Sequence, residues 1–134
     1  MSIIQDTSKI YPTGVEVIQG SFLVSTTTAG GVNTILYDID ILKNQVIHLK
    51  AEAHCGKVGV DGHAVRFASR SMSYNGGVYT LSASSGPDPA ITASFNNPVL
   101  AITPSPTQFI ILTQNTTQDT DWVVLWTLTM FELP

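Results

Sequence analysis

Charge is scarce in this sequence, and base is scarcer: 12% of the 134 residues are charged, six are Lys or Arg, and none of those six follows Arg70. A nucleic-acid footprint needs clustered base. The six basic residues are scattered from Lys9 to Arg70, so no DNA or RNA partner is expected. A single cysteine, Cys55, leaves no internal disulfide framework. No apolar run approaches the ~18 residues of a membrane-spanning helix, so no membrane partner is expected. The opening MSIIQDTSKIYPTG carries neither the basic n-region nor the apolar h-region of a secretory signal peptide. Internal repeats and low-complexity tracts are also missing.

What is present is a single-domain length with 43% hydrophobic residues and a net charge of −4. A chain this long buries roughly two-thirds of its unfolded surface and can support its own core. Ser, Thr, Asn and Gly stand where charges usually would. These short polar side chains suit exposed strand faces and create few like-charge clashes when two surfaces meet.

The patterning is that of strands. Residues 45–55 (QVIHLKAEAHC) alternate with period two. Ile47, Leu49, Ala51, Ala53 and Cys55 point one way; Val46, His48, Lys50, Glu52 and His54 point the other. Further runs cover 21–28, 33–42, 63–74, 78–84, 90–95, 99–103, 108–114 and 122–133, separated by Gly, Pro and Asn turn signals such as Asn75-Gly76-Gly77. No helical period competes. The expectation is an all-β, antiparallel β-sandwich, jelly-roll-like, as a single domain over 21–134. Residues 1–20, broken by Pro12, Gly14 and Gly20, read as a short N-terminal arm. Its apolar residues Ile3, Ile4, Ile10 and Tyr11 suit contact with a partner, with the first strand of the sandwich as the other reading. On the terminal run, Trp122, Val124, Trp126, Leu128 and Met130 share one face, which is core or interface, while Val123, Leu125 and Phe131 share the other. A strand apolar on both faces is covered on both, which points to a homo-oligomer.

Tests for chemistry fail on spacing. His48 and His54 share a strand face, but six residues at ~3.3 Å each put them roughly 20 Å apart. Cys55 faces away from His54, and His63 meets His54 only across a glycine loop. No metal site follows. Asp38 and Asp40 read as a strand edge that discourages unwanted pairing, with Tyr37, Ile39 and Ile41 inward. Asp61, His63 and a serine make no triad without geometry, and no GxSxG is present. GKVGVDG lacks the ending of a phosphate loop. Asn115-Thr116-Thr117 matches a glycosylation sequon but reads as a polar turn. No enzyme activity and no cofactor are expected. Arg66 and Arg70 lie four apart on one strand face. If that strand pairs with 45–55, they form a mixed-charge patch with Lys50, Glu52 and His54, either solvated or making inter-subunit ion pairs.

The run from Asn33 to Ala83, with Arg66 and Arg70 leading into Tyr74 and the Gly76-Gly77 hairpin, together with the Trp-bearing terminal strand, resembles compact β domains of tailed-bacteriophage virion proteins. These are head decoration (cement) proteins and the terminal domains of tail fibres. The resemblance does not extend to the segment before Ser21. It implies a structural virion protein, made in the host cytoplasm and oligomeric, with a trimer favoured over a dimer. A capsid decoration protein on the outer head surface comes first, because a short arm is enough for a latch. A receptor-binding module of a tail fibre or spike is the alternative. A lectin-like binder would draw on Tyr11, Tyr74 and Tyr79. The partner or oligomer residues expected are Ile3, Ile4, Ile10, Tyr11, Arg66, Arg70, Trp122 and Trp126.

Overall fold

The computed structural model describes residues 2–10, 14–82 and 91–134. They form ten strands and no helix: β1 (Ser2–Ile10), β2 (Val15–Thr26), β3 (Val32–Asp38), β4 (Gln45–Lys57), β5 (Val60–Asn75), β6 (Val78–Leu81), β7 (Ile91–Ala93), β8 (Val99–Ser105), β9 (Gln108–Gln114) and β10 (Thr120–Glu132). All pairings are antiparallel. The large sheet runs β1-β2-β10-β4-β5-β6, with β7 also on β5, and a three-stranded sheet runs β3-β9-β8.

The chain winds as a jelly roll does in its outer turns. β10 pairs with β2, and β9 pairs with β3 in the other sheet. Its inner turns differ. After β4 the chain stays in the large sheet as the meander β4-β5-β6, so the sheets are unequal in width. The Asn75-Gly76-Gly77 signal does make a tight hairpin, with both glycines at positive φ, between β5 and β6.

One core lies between the sheets. Period two assigns its members. β4 buries Ile47, Leu49, Ala51, Ala53 and Cys55, and β10 buries Trp122, Val124, Trp126, Leu128 and Met130. Phe22 and Val24 join them from β2, and Phe109 and Ile111 cover them from β9. Bulk is matched across strands. Trp126 lies in register between Gly20 and Ala51, and Val124 between Phe22 and Ala53. A fully buried aromatic side chain removes about 150–250 Å² from water, so the two Trp and two Phe anchor the packing.

Three expectations change. Residue 20 is no boundary: β2 runs unbroken through Gly20 from Val15, and β1 pairs along it, Ile3 opposite Phe22, Ile4 opposite Ser21 and Ile10 opposite Glu16. The broken segment is therefore an edge hairpin of the large sheet, not a separate arm. Tyr11 lies outside the described residues. Second, the 33–42 run ends at Asp38. Asp40 Oδ1 accepts the Leu42 N–H at 3.0 Å, bending the chain so that Ile41 and Leu42 are exposed while Ile39 is buried. Third, Arg66 and Arg70 stand opposite Ala53 and Leu49, on the core side of β5. They share no face with Lys50, Glu52 and His54, and the expected mixed-charge patch does not exist. The reason is register: β4 and β5 pair Cys55 with Ala64, which puts even positions of β5 beside odd positions of β4.

Candidate functional site

Several of the polar candidates are tied locally. His54 Nε2 sits 3.0 Å from Glu52 Oε2 on the outward face. His48 is held below its ordinary pKa by partial burial, with Lys50 adding to the effect. The Cys55 thiol is buried in the core, and desolvation pushes its pKa up to about 12. Asp38 accepts from Gln108 Nε2 at 3.0 Å across the β3–β9 pair. Asp61 and His63 are both exposed. Among the described residues, no three His, Cys, Asp or Glu side chains converge as metal ligands. Asn115 is 2% exposed, and its Oδ1 accepts from the Thr117 N–H at 3.0 Å and its hydroxyl at 3.1 Å. That turn buries the Asn115 side chain, while Thr116 and Thr117 stay exposed.

The arginines and aromatic residues serve packing. Arg70 Nε donates to the Ser82 carbonyl at 3.1 Å, and an Arg66 guanidinium nitrogen donates to Asn97 Oδ1 at 3.0 Å. Trp122 and Trp126 are core, not interface; Trp122 Nε1 donates to Thr26 Oγ1 at 2.9 Å within it. Tyr74 is buried, donates its hydroxyl to the Pro106 carbonyl and packs 5.3 Å from the half-buried Tyr79 ring. Neither offers the exposed platform a sugar needs.

The features left over are two faces. On the outward side of the large sheet, Leu23 (56% exposed), Val123 (41%) and Leu125 (44%) are neighbours, Leu23 standing opposite Val123 in register. Phe67 of β5 flanks them beyond Glu52. At the far end of the same face, Val46 and Phe131 pair and are exposed. Two open hollows lie against these strands, one of about 1060 Å³ at the Ser25–Lys57–Asp121 end and one of about 480 Å³ around Leu125 and Phe67. The larger is edged by a polar cluster: Ser25 Oγ donates to Asp121 Oδ1 at 2.7 Å, and Lys57 Nζ lies 3.5 Å from Asp121 Oδ2. The Ser25 bond, with Lys57 adding to it, holds Asp121 below the usual carboxylate range.

The outward side of the three-stranded sheet is apolar as well. Ile35 and Val99 are about half exposed, with Ile110 and Leu112 half-buried between them. The register places Ile35 and Thr103 on either side of Ile110, and Asn33 and Ala101 on either side of Leu112. None of these is charged. Sequence reasoning found the outward face of β10 through Val123, Leu125 and Phe131 but missed the second face. Its signal was the unbroken apolar run Phe109-Ile110-Ile111-Leu112 in β9, the mark of a strand covered on both sides.

No protein-family model, curated protein or solved structure matches the chain.

Proposed function

We propose that the chain is a structural virion protein of a tailed bacteriophage, a decoration (cement) protein of the outer head surface that also contacts copies of itself. One observation carries the reading: most of the exposed large hydrophobic side chains lie on the two outer faces of a two-sheet block, the others being Ile41, Leu42 and Val58 in turns. A monomeric protein rarely exposes large contiguous apolar patches unless they meet something. A block with contact faces on both sides suits a part built into a shell. The bonds of Asp38, Asn115, Arg66 and Arg70 support this, since each ties its side chain to a neighbouring strand or turn.

The test is location. Phage particles carrying the gene are purified and labelled with an antibody against the protein. Label spread over the heads is the expected result. Label at the tail tip would transfer the proposal to an adsorption module, and intact particles free of label would end the virion reading.

A further inference from the structure

The two apolar faces differ in how they treat charge. The face of the small sheet has none along its centre. The outward face of the large sheet mixes both signs within reach of its apolar residues: Lys50 and Lys57 against Glu52 and Asp121. These cancel, on a chain whose net charge is −4. A surface meant for a strongly acidic or basic partner would carry the opposite excess. A surface meant for itself needs none, because every copy brings the same charges.

Size agrees with this. β10 pairs with β2 from Thr120 to Phe131 and with β4 from Asp121 to Glu132. With β5 added, four strands at ~4.8 Å spacing and ~3.4 Å per residue span on the order of 800 Å². A standard stable interface takes about 800 Å² from each partner. The face carries apolar groups at its two ends, with Gln19, Thr127, Thr129, His48 and Lys50 between them, a mixture of the kind protein interfaces have. Leu23, Val123 and Leu125 form one apolar group, and Val46 and Phe131 the other.

We infer that the outward face of β2, β10, β4 and β5 is a self-association surface, where two copies of this chain pack sheet against sheet. The contact is isologous. It closes as a two-fold dimer, whereas the trimer implied by the resemblance needs two different patches that meet head to tail. The inference rests on the two-faced reading of the block and not on the virion assignment, so it stands or falls separately from the labelling of particles.

Light scattering on the full chain at micromolar concentration should find a particle of twice 14.4 kDa. Leu125→Lys places a charge in the Leu23–Val123–Leu125 apolar group and should weaken the dimer at least about thirtyfold. Lys50→Glu should weaken it by about tenfold at low salt, and the swap Lys50→Glu with Glu52→Lys should restore it, since the face is neutral again. Ile35→Lys, on the opposite outer face, should leave the dimer unchanged. Circular dichroism and a thermal melt check that each variant is folded; Leu23→Lys, at a more exposed site, replaces Leu125→Lys if that one fails. A monomer or a trimer for the unmodified chain would overturn the inference. So would a dimer that Ile35→Lys breaks and Leu125→Lys does not.

Discussion

Gly62 offers a quantitative check on how closely β7 lies against β5. Its φ is +94°, and a Cβ there would meet backbone: the Ala93 carbonyl oxygen, then the Ser94 carbonyl carbon and oxygen, each at 2.7 Å. Gly59, in the same hairpin, has a φ of +84°, and a methyl group placed on it would find nothing within 4 Å. Replacing either by Ala imposes the same strain, about 1–2 kcal/mol for an L-residue at positive φ. Only Gly62→Ala adds a collision, and the backbone it strikes cannot rotate away. The easiest relief is for β7 to leave β5. That strand is three exposed residues held through the pairs His63–Ala93, Ala64–Thr92 and Val65–Ile91. Losing two or three such hydrogen bonds costs about 2 kcal/mol more. At about 4 °C per kcal/mol for a domain of this size, Gly62→Ala should melt about 15 °C below the parent and Gly59→Ala about 5 °C below. Native hydrogen exchange should show faster amides at 63–65 and 91–93 with β4 and β10 unchanged. Equal melting temperatures for the two variants would refute the close approach.

Other outcomes follow from single contacts. Thr26→Val strands the Trp122 Nε1–H in the core and should cost about 1–3 kcal/mol in urea denaturation. Asn115→Ala removes the acceptor that closes the 115–117 turn and should cost a similar ~1–3 kcal/mol, read the same way. Ellman's reagent should leave Cys55 untouched in the folded chain at mildly alkaline pH and titrate it fully after unfolding, because its pKa of about 12 keeps it a buried thiol. Asp121 is more acidic folded than unfolded, so its contribution is present above the unfolded pKa of about 4 and lost as pH falls through the folded value. Ser25→Ala should therefore lessen the drop in urea midpoint below about pH 4.

The strands that alternate cleanly were legible from the residues alone. Ile47 to Cys55 and Trp122 to Met130 are buried position by position because each strand sits in mid-sheet with one face on the core. Where that condition lapses, the pattern fades. In the middle of β5 the residues of both faces are half-buried, so the faces of Arg66 and Arg70 can be told only from the pairing register. Pairing also decided the segment that ends at Gly20. Composition can show a segment broken by Pro12 and Gly14, but not that its two halves lie against each other. The candidate surface was half visible, through Val123, Leu125 and Phe131. Its companions Leu23 and Phe67 come from strands whose place beside β10 and β4 depends on long-range contacts that no local pattern encodes.

β10 occupies the middle of the wide sheet, with β2 on one side and β4 on the other, yet a ribosome makes it after every other described strand. Until residues 120–132 emerge, β2 and β4 have no shared neighbour, and the apolar faces meant for Trp122 through Met130 stand open. Assembly of this sheet is thus a late, nearly all-at-once event, slow in the way that long-range β pairing is slow. A messenger cut short upstream of β10 yields no smaller working version of the protein. It yields a chain with an unfilled slot at its centre, which quality-control proteases can recognise.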